Sequence, residues 1–531
     1  MDNFEDEGFE LGQEGDLIEL PTLGLSTTFG ADGYPILTKE ILRHSLLSAN
    51  YFPRMKARKT ELPSLFTTSD FTPEVSNQLL GRDRLANTRA KRGFGAVSYG
   101  QTRHEGSVRV THIPHPWSHC NVVNALIEGW EALEPLSLNK NSAIRPMVFR
   151  DGRVFVSNYS DGLYPEDNWD EISEFGATHR AKFDIKEFYP SIYTHTLAWA
   201  ALGRDFVQAN LKSDAVRNHF STKVENALLD SNRKMSKGIL IGPATSNLVA
   251  EYLLSGVDAK LREFFDNRFR RHIDDYTFYA QSRAEVTRFQ SILENELSKL
   301  QLSINPHKTL METVDIPASP KWLLELNEID VHDLNSPESL LKYWVKAEKL
   351  SEDINAGMAL RYGMRAVLRQ AIRLNQTKWA ATLLILEIQT HQYLTPLLDE
   401  FIDFVPEINE ADLCALQIWL KSEYQFLNSD SRAWVLMILG IAGFIDDELI
   451  DILISIPDVV PMTVAYEFRK DKASNFRQAV IRDPNDVCKA DEYWLLAYQL
   501  FLNGEISKDE DGVFEILKNN NVNFVNNKWS F

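Results

Sequence analysis

Two short stretches of this sequence place carboxylates where they could do chemistry. In AKFDIKEFYPSIYTH, Phe183-Asp184-Ile185 reads as a buried strand presenting one acid at its end. In FRRHIDDYTFYA, apolar and aromatic residues flank an adjacent acid pair, Asp274-Asp275, as in a hairpin. Ninety residues separate Asp184 from Asp274, so only tertiary folding can bring them together. Three acids buried together are costly without cations. Two divalent ions about 3.5–4 Å apart would turn them into a site that activates an attacking hydroxyl and stabilises a leaving pyrophosphate. Mg²⁺ suits such a site, because it takes oxygen ligands and completes its shell with substrate phosphates; Mn²⁺ is the alternative. An Asp-Asp pair by itself is weak evidence: Asp446-Asp447, just ahead of a helical pattern, reads as a helix cap. Strand-like flanks set Asp274-Asp275 apart. A third stretch, KGILIGPATSNLVAEYLL, is a Gly-Pro turn leading into a helix.

The elements that must hold these residues belong to a chain of 531 residues, long enough for two to four domains. Hydrophobic residues at 44% and charged residues at 25% exclude a wholly disordered chain. Cys120, Cys414 and Cys488 are too few for a disulfide framework and fit no zinc spacing. The acidic start, MDNFEDEGFELGQEGD, is expected to be neither a signal nor a transit peptide. No apolar run reaches the ~20 residues of a spanning helix, so a cytoplasmic protein without a membrane partner is expected. The net charge of −19 hides a strong asymmetry. Residues 1–38 hold nine acids and no Lys or Arg; residues 39–110 carry 13 bases against 6 acids; from 311 onward 35 acids face 20 bases. A basic module between acidic ones suits a polyanion, or is simply a solvated face. Residues 1–38 are expected to be a mobile acidic leader or a loosely docked arm, 39–315 a mixed α/β unit, and 316–531 an α-helical, repeat-like domain without a fixed sequence period. SVRVTHIPHP reads as a strand, NVVNALIEGWEALE as helical and PMVFRDGRVFVSNY as a hairpin around Asp151-Gly152.

Taken in order, these segments resemble the palm motifs of reverse transcriptases. FDIKEFYPSI is similar to motif A, GILIGPATSNLVAE to motif B, HIDD to the YxDD box and LSINPHKT to motif D, while RVTHIPHP resembles the preceding fingers segment. The resemblance covers roughly residues 105–310 and implies an α/β fingers-palm fold. It implies that Asp184, Asp274 and Asp275 are metal ligands, assisted by the Ile185 carbonyl. Tyr189 falls at the aromatic steric gate that favours dNTPs over NTPs, or is a packed core ring. Gly242 and Ser246 fall at the motif B turn beside the nucleotide. Lys308 would protonate or stabilise the leaving pyrophosphate, or is a surface lysine. Arg109 and Arg145, with Arg150 and Arg153, are candidates to meet the triphosphate.

The departures narrow the resemblance. Ile241 stands where motif B carries a glutamine that contacts the nascent pair, and His272 replaces the tyrosine of YxDD. IPHP, the IGP form of motif B and the helical C-terminal region together resemble the abortive-infection (Abi) and related defence-associated reverse transcriptases of bacteria. That family implies a helical array in place of the thumb, a ring-like homo-oligomer, and DNA synthesis without a template from a protein hydroxyl, leaving single-stranded DNA attached to the protein. Tyr34, Tyr51 and Tyr99 lie near the basic module, but nothing in the sequence selects the priming residue. Copying of an RNA template is the runner-up, and a non-catalytic defence scaffold a third reading. In RYGMRAVLRQAIRLN, Arg361, Arg365, Arg369 and Arg373 stand four apart on one helix face. Such a stripe meets either nucleic-acid phosphates or acids of the same chain.

Overall fold

The computed structural model describes residues 12–53, 61–81, 91–155, 176–314, 321–353, 357–480, 490–507, 509 and 511–526. The basic loops PRMKARK and RLANTRAKRG lie almost wholly outside these. The described part of the leader is not loosely docked. It forms an antiparallel hairpin, β1 (Leu17–Leu20) and β2 (Leu25–Thr28). Ile18 and Leu20 alternate inward while Glu19 faces solvent, and Leu20 and Leu23 join the main core. The inward positions belong to a period-2 pattern too short to stand out in sequence.

Helices α1 (Lys39–Leu47) and α2 (Pro73–Leu80) lead to a fingers-like hairpin, β3 (Ala96–Thr102) and β4 (Val108–Pro114). The strand read from SVRVTHIPHP is β4, and Pro116 starts α3 (Pro116–Glu128), where a missing N–H costs nothing. The Asp151-Gly152 turn is present: Met147 and Phe149 amides donate to the Val154 and Arg153 carbonyls, both at 3.0 Å, with Gly152 at φ +82°.

The next elements are β5 (His179–Asp184), α4 (Phe220–Ser231), α5 (Ala244–Phe265), β6 (Phe269–His272), β7 (Asp275–Ala280), α6 (Arg283–Lys299) and β8 (Leu310–Thr313). The four strands form one antiparallel sheet in the order β6-β7-β5-β8. Phe183, Phe269 and Phe278 point to one face, where they meet Phe265 of α5 and Phe289 of α6, with Phe278 stacked on Phe289 at 4.3 Å. That aromatic layer fixes the sheet beneath the acids.

The remainder is helical: α7 (Pro337–Asp353), α8 (Gly357–Arg373), α9 (Thr377–Thr390), a 3₁₀ stretch (Gln392–Glu407), α10 (Glu410–Glu423), α11 (Ser429–Ile441), α12 (Asp447–Ser455), α13 (Val459–Phe468), α14 (Ala473–Val480), α15 (Trp494–Leu502) and α16 (Val513–Asn519). Asp446 caps α12, accepting from the Leu449 amide at 2.9 Å. The array docks on the fingers side: Trp494 Nε1 donates to the Ile113 carbonyl at 3.3 Å, and Phe524 stacks on Phe52 at 5.5 Å. Among the described residues no helix is long and apolar enough to cross a membrane.

Candidate active site

The β5–β7 pairing closes the ninety-residue gap between the acids. Asp184 and Asp275 are direct cross-strand partners, and Asp274 occupies the two-residue turn just before Asp275. The Ile185 amide donates to the Asp274 carbonyl at 3.1 Å, which locks the turn against the end of β5. Burial, then Asp275 and Asp184, pushes the Asp274 carboxyl up to about 6. Asp275 is raised as well, by partial burial and then by Asp184. Carboxylates that repel in this way gain most from a shared positive charge. One is present: Lys308 Nζ lies 2.9 Å from Asp184 Oδ1, and Asn305 Nδ2 holds the other oxygen at 3.2 Å. The three carboxylates form an oxygen-only, anionic donor set, which fits a hard divalent cation.

The acid-bearing turn is strained and braced. Ile273 has φ +58°, a left-handed conformation that a β-branched residue rarely adopts. Arg271, fully buried, donates through Nη1 to the Ile273 carbonyl at 3.0 Å. The same guanidinium meets Glu251 at 2.7 and 2.9 Å and Asp258 at 2.8 Å, and Tyr276 Oη and Asn139 Nδ2 complete Asp258. Glu251 and Asp258, seven apart, share one face of α5. The signal in the sequence was an arginine at an inward position of a buried strand; its partners lie on another element. His272, beside it, is held neutral by burial, which lowers its imidazole to about 4.

Around the acids the other expected residues take distinct places. Arg109 stands on β4, and its positive charge favours the ionised forms of Asp274 and Tyr189. Tyr189 is buried and its hydroxyl donates to Asn247 Oδ1 at 2.7 Å. Gly242 has φ +128°, and a Cβ there would lie 2.8 Å from the His112 carbonyl oxygen and 3.0 Å from Pro53. The His112 amide donates to the Ile241 carbonyl at 2.6 Å, so the motif B turn is pinned to the fingers. Ser246 is buried with its Oγ on the Leu240 carbonyl at 2.5 Å, a structural bond that holds the start of α5. Arg145 is buried with its guanidinium over the Tyr34 ring at 5.6 Å. Arg153 is buried against Asp151. Neither Arg145 nor Arg153 is placed against the aspartates by any of these contacts.

The arginine stripe lies along α8. Arg365 and Arg369 share one carboxylate, Glu400, at 3.5 and 3.4 Å, and Arg373 reaches His332 at 3.2 Å. Burial, then Arg361, disfavours the charge of Arg365 and draws its guanidinium down to about 10. A grouping that sequence reading did not find, Glu348 of α7 with Glu387 of α9 and His391 just past its end, has its ligand atoms within 4.8 Å of one another. Burial, then Glu348, pushes Glu387 up to about 7.

The family model for reverse transcriptase (RNA-dependent DNA polymerase) matches residues 133–338. No curated protein matches. Among solved structures, apo telomerase from Candida tropicalis is similar over 67% of this chain and 72% of that one, at 13% identity and TM-score 0.33. Telomerase from the same organism in complex with a TWJ fragment of telomeric RNA is similar over 69% and 68%, at 14% identity and TM-score 0.31. The family match spans the β5–β8 sheet and all three converging aspartates; residues 133–338 are a reverse transcriptase domain, and the protein is a nucleotidyltransferase.

Proposed function

We propose that this chain is a Mg²⁺-dependent DNA polymerase of antiphage defence, which extends DNA from dNTPs without a template and starts from a hydroxyl of its own. The observation that carries the polymerase reading is the Asp184–Asp275 cross-strand pair with Asp274 beside it, all within the matched domain. Asp184, Asp274, Asp275 and the Ile185 carbonyl would hold Mg²⁺, which supplies activation of the attacking hydroxyl and charge stabilisation at the leaving pyrophosphate. Arg109 meets the triphosphate from the fingers, with the ring of Tyr189 beneath the sugar. Lys308 is 62% exposed and held by one carboxylate oxygen, so it can turn to the leaving pyrophosphate as acid or counter-charge.

Absence of a template is supported at Ile241. Its side chain packs against the core and its carbonyl is taken by the His112 amide, so it offers a template base no polar group from its side chain. Tyr51 and Tyr99 are unsuited to priming, since both are fully buried and donate to the Pro114 and Glu61 carbonyls at 2.6 and 3.1 Å. The defence role and ring-like assembly rest on the resemblance of IPHP, the IGP turn and the helical C-terminal region. Copying of RNA is the other reading, favoured by the RNA-dependent description of the matching family. In either reading the arginine stripe is the nucleic-acid path, a role supported by four cations spaced along one face of α8.

The test is incubation of nuclease-treated protein with Mg²⁺ and labelled dNTPs, without primer or template, and denaturing gels before and after protease. Label that stays with the protein until proteolysis supports the proposal. Incorporation only after RNA is supplied overturns it in favour of templated synthesis.

A further inference from the structure

A buried phenol can keep its ring in place by packing, but its hydroxyl then needs a partner of its own. Tyr189 shows both requirements met from different elements. Its ring lies against Phe188 at a centroid separation of 5.3 Å, and its carbonyl accepts from the Ile239 amide at 3.1 Å. Its hydroxyl has one hydrogen bond, donated to Asn247 Oδ1 at 2.7 Å. Asn247 stands in the first turn of α5, directly after Ser246, whose Oγ is anchored on the Leu240 carbonyl. The turn before it is fixed in turn by Gly242 and the His112–Ile241 bond. Asn247 is therefore a carboxamide on a rigid mount, and swinging the Tyr189 ring about χ1 would break its bond.

We propose that Asn247 is a positioning residue for sugar selection: it holds the Tyr189 ring where that ring excludes a ribose 2′-hydroxyl. The inference rests on the reading of Tyr189 as the gate that favours dNTPs. Packing alone confines a ring to a rotamer well tens of degrees wide. The hydrogen bond narrows that range, and a 2′-oxygen is separated from its absence by only one atom. Loss of the bond lets the ring retreat and admits the larger sugar.

The experiment measures incorporation of labelled dATP and ATP by the full chain with Mg²⁺, under the priming condition that the parent accepts, as a ratio of kcat/KM values. Asn247→Ala and Tyr189→Phe each remove the bond and keep the ring, and each should lower the dATP preference about five- to tenfold, the worth of one hydrogen bond. The double variant should be no worse than either single one, because both remove the same bond. Tyr189→Ala, which removes the ring, should lower the preference further. A parental ratio in Asn247→Ala and Tyr189→Phe, with the ratio lost in Tyr189→Ala, overturns the role of Asn247 and leaves the gate standing. Equal loss of dATP and ATP incorporation in Asn247→Ala means a purely structural contact, and also overturns it. A parental ratio in Tyr189→Ala overturns the gate reading itself.

Discussion

Arg271→Met is the substitution whose consequence the structure specifies most fully. The parent guanidinium is fully buried and lies 2.7 and 2.9 Å from Glu251, 2.8 Å from Asp258 and 3.0 Å from the Ile273 carbonyl. Methionine fills much of the stem's volume but leaves two carboxylates facing each other in an apolar interior. Removing one partner of a buried ion network costs about 3–5 kcal/mol, most of it from the charges left behind. With a urea m-value of about 3 kcal/mol/M, the unfolding midpoint should fall by about 1–1.7 M. Adding Glu251→Gln and Asp258→Asn removes the stranded charges, and this triple variant should regain most of the midpoint. It should not regain activity. The Ile273 carbonyl has lost its donor, the strained turn is free to relax, and Asp274 moves with it; incorporation at a urea-free, fully folded temperature should stay at least about tenfold down, as a 1 Å misplacement commonly produces. Two results refute the reasoning: a single-variant midpoint within about 0.3 M of the parent, or a triple variant with parental activity.

Asp274→Asn with Asp275→Asn should abolish incorporation while circular dichroism and the unfolding midpoint remain at or above parental values, because the two carboxyls repel each other and Asp184. Arg365→Glu with Arg369→Glu should shorten products or weaken nucleic-acid retention in filter binding, with a smaller salt slope; unchanged retention assigns these arginines to Glu400 alone. Glu387 has a folded-state value of about 7 against an ordinary 4.5, so the folded protein holds this proton more tightly and its stability falls as pH rises through that window. Glu387→Gln should therefore add roughly 1–2 kcal/mol at pH 8, after allowance for solvent screening, and nothing at pH 4, as read by denaturant titration at both values.

The acids were legible in the sequence because each sits in a short stretch whose apolar flanks betray a strand. Their convergence was legible only through motif order, and the β5–β7 register then supplied the physical reason. Arg271 was not legible, since its meaning depends on Glu251 and Asp258 on α5 and on an inward strand position that two adjacent arginines obscure. The helices at 377–390, 410–423 and 429–441 were legible as long apolar-rich stretches, and the last is buried on every side from Asp430 to Gly440. Where they dock does not: the Thr67 amide reaches the Phe524 carbonyl across more than 450 residues at 3.1 Å, a contact that no local pattern encodes. Nor does sequence reveal that Arg145 lies over the Tyr34 ring, because that contact joins residues more than a hundred positions apart.

The docking of the acidic array has a physical logic that its composition alone conceals. The β3–β4 hairpin is a two-stranded sheet, marginal in isolation, and its β3 edge would present unpaired amides to solvent or to another chain. Side chains of the helical region cover that edge: Gly95, Gly100 and Thr102 amides donate to Asp491, Ser429 and Asp430 at 3.0, 3.0 and 2.7 Å. Acids are effective here because an exposed strand edge offers N–H donors, and a carboxylate accepts them more strongly than a neutral oxygen does. On the other strand, β4, the His112 amide holds the Ile241 carbonyl, and α5 follows, whose Asn247 accepts from the Tyr189 hydroxyl. One hydrogen-bonded path thus runs from α11 through the fingers hairpin to the motif B turn. The helical array acts as the frame that keeps a two-stranded hairpin rigid enough to hold the Gly242 turn and the start of α5 in place.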